Sequence, residues 1–331
     1  MRPHSALDGM PPLEPAGATG TTERAATTSW AVTNAPARQV RRLARLQRGR
    51  GAGACRRIRA VMPSPTELLP ARPLAGWPAH ARARIVGVMT DIDDTLTRDG
   101  SIEPVALAAL HALNEAGLPV VAITGRPHGW SVPFARDWPV AAIVAENGAV
   151  ALLREGAQVR TEFAQDEPTR TANARRLQAT AARIVREVPG ATLARDSPGR
   201  LTDIAIDHSE FTTLEPAAIA HVAALMREEG MTATVSSIHV NGWYGAHSKW
   251  SGAQWMLRRL FGRELDDELG RWVYVGDSTN DQAMFERFPA SVGVANLMRF
   301  AAELRHWPAW LTQAERGAGF AELTQALLEA R

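Results

Sequence analysis

The run Arg84-Ile85-Val86-Gly87-Val88-Met89-Thr90 is short, apolar and rich in β-formers, and it stops abruptly at Asp91-Ile92-Asp93-Asp94-Thr95. Such a run without polar alternation is the pattern of a strand buried on both faces, which belongs in a parallel sheet. Carboxylates directly after it stand at the carboxyl end of that strand, where open parallel sheets bind their ligands. A helical pattern follows over 103–116, then Gly117 as a stop signal and a second apolar strand over 118–123. Together these make one βαβ unit. A further strand, 141–145, runs into the turn signal Glu146-Asn147-Gly148.

Residues 150–247 are organised differently. A long polar helical pattern over 167–188 leads to short alternating strands near 191–194 and 203–207, a second helix over 215–229, and strands near 232–236 and 238–241. Helices beside short alternating strands form an α+β unit around an antiparallel sheet. Helical periodicity resumes over 249–261, followed by an apolar strand at 272–275, a helix over 281–287 and a strand at 291–294. The expected organisation is one parallel-sheet α/β core, 84–149 plus 248–331, interrupted by an inserted domain at 150–247.

The formal net charge of +2 conceals a division. Residues 1–83 carry 13 arginines and four acids, whereas 84–331 carry 24 basic and 31 acidic residues. An acidic body lacks the dense basic face that tracks a nucleic-acid backbone, so a role with RNA would fall to the basic arm alone. That arm is rich in Pro, Gly, Ala and Thr, and it is expected to be a disordered leader, with translation beginning at Met62 as its simplest account. An RNA-binding arm and an Arg-rich targeting helix are the other readings of it. The single cysteine, Cys55, excludes an intramolecular disulfide framework and fits a reducing, cytoplasmic setting. No apolar run approaches the roughly 18 residues of a membrane-spanning helix, so no membrane partner is expected.

Four strand ends carry polar signals. The acidic segment 91–102 imitates a calcium loop at Asp91, Asp93 and Asp99, but Leu96 occupies the glycine position, Ile102 the final glutamate position, and a strand rather than a helix precedes it. The second strand ends in Thr124-Gly125-Arg126, a hydroxyl and unhindered amides suited to phosphate oxygens. His247-Ser248-Lys249 opens a helix after the insert. Strand 272–275 ends in Gly276-Asp277-Ser278-Thr279-Asn280-Asp281, whose two acids share a helical face. Each signal is weak alone; their order and their common placement at strand ends make the pattern.

In that order the motifs resemble those of the haloacid dehalogenase superfamily of phosphohydrolases, over about 84–331. An insert between the second and third motifs is similar to the members with a type-two cap, and Glu146-Asn147-Gly148-Ala149 resembles the turn before that cap. Within the group the chain is similar to the IIB subfamily, which includes sucrose-phosphate, trehalose-phosphate and mannosyl-phosphoglycerate phosphatases. The resemblance implies a Rossmann-like parallel-sheet core with an inserted α+β cap. It implies Asp91 as a nucleophile forming an aspartyl-phosphate, and Asp93 as general acid and base. Mg²⁺ would sit on the Asp91 carboxylate, the Asp93 backbone carbonyl and Asp277. Thr124, Gly125, Lys249 and Asn280 would hold the phosphate, with Asp281 orienting Lys249 or a water. The implied substrate is a small phosphorylated metabolite, a sugar phosphate; a phosphosugar mutase is the alternative. An all-oxygen site without His or Cys suits Mg²⁺, and an anionic nucleophile attacking an anionic ester needs such neutralisation.

Composition adds one independent pointer. The chain has 36 arginines and a single lysine, Lys249, which falls at a motif position. A compact ammonium fits between oxygens where a planar guanidinium directs its donors elsewhere. Arg126, Asn147 and Trp243 are candidate substrate contacts at the entrance and the cap exit, with packing as the competing reading for the indole. The nine histidines show no metal-ligand spacing. The inserted domain carries ten arginines against twelve acids. A near-neutral cap of that size, closing over the core, favours a small substrate and excludes water during transfer.

Overall fold

The computed structural model describes residues 71–331. The expected leader lies outside the described residues up to residue 70. Within the apolar run, Gly87–Thr90 forms a strand buried at every position. It pairs in parallel with Val120–Ile123 on one side and Trp272–Gly276 on the other. Ala142–Ala145 extends the first side, and Ser291–Gly293, Trp310–Leu311 and Arg72–Pro73 extend the second, all in parallel. The chain therefore builds outward in one direction before the insert and in the other after it. Gly87–Thr90 lies where the strand order reverses, and the crevice at its carboxyl end is the natural ligand site of such a sheet.

Alternation along each strand sorts the core onto two faces. Val88, Val120, Ala122 and Ile143 pack with helices Pro104–Glu115 and Arg316–Leu328. Met89, Val121, Ile123 and Val144 pack with helix Lys249–Phe261. Apart from Tyr274, whose hydroxyl donates to Asp281, every residue of the central strands is apolar or small because both faces are covered, which removes the polar alternation seen in half-exposed sheets.

Two expected boundaries move. Strand Val150–Glu155 pairs antiparallel to Ala142–Ala145, and Gln158–Phe163 pairs antiparallel to Val150–Glu155, completing a nine-stranded sheet. The inserted domain thus begins after Phe163 rather than at residue 150, because Leu152 and Val159 pack into the core cluster. At the other edge, Leu74 and Trp77 are buried in that cluster and Trp77 stacks on Trp310 at 5.9 Å. The core accordingly starts before residue 84.

The inserted domain has a separate apolar centre. Helices Glu167–Glu187 and Pro216–Glu228 cover a four-stranded antiparallel sheet in the order Thr232–Val235, His239–Trp243, Asp203–Asp207, Thr192–Leu193. Leu177, Ile184, Ile206, Val222, Met226 and Val240 fill it. The linker that enters this domain and the one that leaves it are joined by Gln165, whose Nε2 donates to the Tyr244 carbonyl at 2.9 Å. Among the described residues no helix is long and apolar enough to cross a membrane.

Candidate active site

Four loops converge at the carboxyl ends of the parallel strands. Asp91 leaves the central strand with its amide still donating to Val275 O at 2.9 Å, so its side chain is aimed by the sheet itself. Lys249 is placed by a capped helix start, where Ser248 and Ser251 exchange side-chain and backbone hydrogen bonds. The turn Glu146-Asn147-Gly148 has φ of 49°, 55° and 107°. A Cβ at Gly148 would lie 2.1 Å from Ser248 O. Only glycine lets the turn approach the helix that carries Lys249 so closely.

The buried Lys249 ammonium donates to Asp91 Oδ1 and Asp281 Oδ1, both at 2.7 Å, and to Asn280 Oδ1 at 3.2 Å. Three donors meet three oxygens, which explains why the one lysine occurs here: a guanidinium fork cannot reproduce that tripod. The longest bond, to Asn280, is the one a ligand oxygen would most readily replace. Asp281 is fully committed, since Lys249 and Tyr274 occupy Oδ1 while the amides of Asp277 and Ser278 donate to Oδ2 at 2.9 and 3.1 Å. Gly276 must be glycine for this to happen, because a Cβ there would sit 2.4 Å from Asp281 Oδ2.

Ligand oxygens of Asp91, Asp277 and Asp281 lie within 4.8 Å of one another. Asp277 accepts from Asn296 Nδ2 on Oδ2 at 3.2 Å, while its buried Oδ1 has no partner. An orphaned carboxylate oxygen beside Asp91, in a site of hard oxygen donors, fits a divalent cation such as Mg²⁺. Asp281 does not fit as a ligand, because its oxygens are spent. Electrostatics agree: three buried acids face one ammonium. Burial drives the Asp91 carboxyl up to about 7 against the pull of Lys249, with Asp281 and Asp93 adding to the rise. Burial raises Asp277 well above the ordinary carboxylate range, reinforced by Asp91, Asp281 and Asp94. For Lys249, burial opposes the charge, but Asp281 and Asp91 outweigh it and hold the ammonium protonated.

Thr124 is fully buried and its Oγ1 accepts from the Arg126 amide at 3.0 Å, which leaves the hydroxyl proton available. Asp93, Gly125 and Asn280 line a small recess with Asp91, roofed by Ser236, His239 and Asn241 of the cap. Asn147 is buried beside Gly125 with Nδ2 unpartnered, so it retains a donor for a ligand. Two candidate contacts are corrected. Trp243 is 2% exposed and donates Nε1 to His247 O, so it packs the cap exit rather than offering a sugar platform. Arg126 is not free for substrate: three carboxylates surround its guanidinium at 2.8 to 3.2 Å.

Sequence patterns miss a further layer. Asn296 ties Asp277 to the Asp94 carbonyl and accepts the Arg316 amide at 2.9 Å, while Arg316 Nε holds Asp94 at 2.7 Å. The buried Glu146 accepts from the amides of His128, Leu201 and Thr202, which fastens the core to the cap. None of these has a local motif; for Glu146 the turn signal marked the place but not the role. Outside the recess a cleft of about 390 Å³ opens between core and cap, lined by Asp94, Asp99, Glu210, Phe211, Arg299 and Arg316.

Residues 88–174 match the family model described as haloacid dehalogenase-like hydrolase. No curated protein matches the chain. Among solved structures, a Thermoplasma acidophilum protein superposes with a TM-score of 0.57 at 16% identity, over 75% of this chain and 99% of its own. The sucrose-phosphatase of Synechocystis, solved with sucrose and phosphate, gives 0.54 at 14% identity, over 73% and 97%. The C-terminal domain of C. albicans trehalose-6-phosphate phosphatase gives 0.55 at 12%, over 76% and 96%. These likenesses establish a shared fold.

Proposed function

We propose that this chain, in which residues 88–174 match the haloacid dehalogenase-like hydrolase model, is a member of that family and a Mg²⁺-dependent phosphatase acting on a small phosphorylated metabolite, a sugar phosphate. The observation that carries the reading is the juxtaposition of Asp91 with the buried Lys249 ammonium at 2.7 Å and with the unpartnered Oδ1 of Asp277, at the point where strand order reverses.

The Asp91 carboxylate attacks phosphorus, forming an aspartyl-phosphate as the ester P–O bond breaks. Asp93 protonates the departing oxygen, then takes a proton from the water that cleaves the acyl-phosphate bond; such help is typically worth about 10²- to 10⁴-fold. Lys249, the Thr124 hydroxyl, the Gly125 amide and Asn280 hold the oxygens of the transferring group, where fixed donors act most strongly. Asp91, Asp277 and the Asp93 carbonyl would hold Mg²⁺, which neutralises phosphate charge when bound. Asp281 locks Lys249 in place. The polar, mixed-charge cleft beside Asp94 and Arg316 suits a hydroxyl-rich leaving group.

Phosphate release from a panel of phosphorylated metabolites, with Mg²⁺ and with EDTA, tests the proposal. Release is expected from one or more sugar phosphates, lost in EDTA and in Asp91→Asn. Retained hydrolysis in Asp91→Asn removes that residue from its role. Isomerised sugar phosphate without release of inorganic phosphate would assign the mutase reaction instead.

A further inference from the structure

The mechanism above leaves Arg126 without a task, yet few side chains in the molecule are so fully engaged. It is 4% exposed. Its Nε faces both oxygens of Asp93 at 3.0 Å, its Nη1 reaches Asp196 at 3.2 Å, and its Nη2 reaches Glu210 at 2.8 Å. Asp93 belongs to the core; Asp196 and Glu210 belong to the cap. Both cap carboxylates are themselves held. Glu210 takes a hydrogen bond from His239 Nε2 at 2.9 Å, and Asp196 takes two from Arg200 at 3.1 Å. Arg200 also donates to Asp203 and to the Gly125 carbonyl, both at 2.9 Å, so the cap grips the backbone that precedes Arg126 as well.

We propose that Arg126 is a positioning residue through which the docked cap sets the orientation of Asp93. A lone arginine–aspartate pair at a cleft mouth holds loosely, since the long arginine side chain has many rotamers open to it. Fixing both Nη groups with the two cap carboxylates leaves Nε a single direction, and a donor shared between both Asp93 oxygens fixes the plane of that carboxyl group. When the cap lifts, Asp196 and Glu210 leave with it, and Asp93 loses its alignment. Proton delivery to the leaving oxygen is thereby restricted to the closed state, in which water is excluded from the recess.

The inference rests on the phosphatase reading, and the experiment separates the two. The kcat/KM of full-length enzyme with Mg²⁺ is measured for 4-nitrophenyl phosphate and benzyl phosphate, esters of similar shape. The first expels a stabilised phenolate that needs no proton; the second expels an alkoxide that does. Arg126→Lys, Glu210→Gln and Asp196→Asn are compared with the parent. All three are expected to lower the benzyl rate about 10- to 100-fold more than the nitrophenyl rate, a partial loss of the roughly 10²- to 10⁴-fold that general acid help supplies. Equal losses on both esters would reduce Arg126 to a structural tie and overturn the proposal. A selective loss in Arg126→Lys with none in the two cap variants would overturn the dependence on the cap. A parent enzyme that hydrolyses neither ester, nor any member of the metabolite panel, would overturn the phosphatase reading instead. If Arg126→Lys fails to fold, the cap variants alone decide.

Discussion

The surplus of buried carboxylates makes the metal-free protein sensitive to pH in a direction opposite to that set by ion-paired carboxylates, whose values are lowered on folding. Asp91 has a folded value of about 7 against an ordinary 3.8. Between those values the folded chain keeps a proton that the unfolded chain has released. Each unit rise in pH across that window therefore removes about 1.4 kcal/mol, and stability present below pH 4 is lost by pH 7. Over the roughly three units involved, Asp91 alone accounts for about 4 kcal/mol. For a domain of this size that is a fall in Tm of about 10 °C. Asp277, raised for the same reason, adds to the slope. A divalent cation replaces those protons, so Mg²⁺ should raise Tm strongly at pH 8 and weakly at pH 5. Thermal unfolding in EDTA and in Mg²⁺, at pH 5, 6, 7 and 8, measures both effects. Asp277→Asn isolates the local contribution: in EDTA its stability relative to the parent should climb with pH, and its Mg²⁺ shift should vanish. A Mg²⁺ shift independent of pH, or a flat difference between variant and parent, would refute the reasoning.

Other substitutions follow from the same geometry. Lys249→Arg keeps the charge but breaks a three-oxygen tripod in a buried site, so kcat should fall by at least about 10²-fold in steady-state assays while circular dichroism keeps its folded signature. Gly148→Ala places a Cβ against Ser248 O in a backbone conformation with φ of 107°, and calorimetry should show a loss of about 2–4 kcal/mol. Trp243→Phe should lower Tm by a few degrees and leave KM within about twofold, as expected of a packing residue; a large rise in KM would return the indole to the substrate.

The core is legible in the sequence for a definite physical reason. Strands covered on both faces must be unbroken apolar runs, and their ends must carry whatever touches ligand, so Asp91, Thr124 and Asp277 announce themselves at Gly87–Thr90, Val120–Ile123 and Trp272–Gly276. Helix Lys249–Phe261 matches its expected span. What the pattern does not contain is partnership. Val150–Glu155 reads as a strand in either sheet, and only pairing with Ala142–Ala145 assigns it to the core. Helix His128–Asp137 hides behind the proline at position 133 within it. Asn296, Arg316, Asp196 and Glu210 lack any local signature, because each acts across a contact between segments far apart in the chain.

The bond between Gln165 and the Tyr244 carbonyl has a consequence for how such a protein diversifies. It brings the two ends of the inserted domain side by side, so the large sheet carries some 80 residues as though they were a single surface loop. A module with adjacent ends can be trimmed, lengthened or exchanged while the register of the parallel strands stays intact. On the proposed reading, selectivity and reactivity are therefore separable in inheritance: residues that would choose a substrate can drift in one unit while the carboxylates proposed for phosphoryl transfer stay fixed in the other.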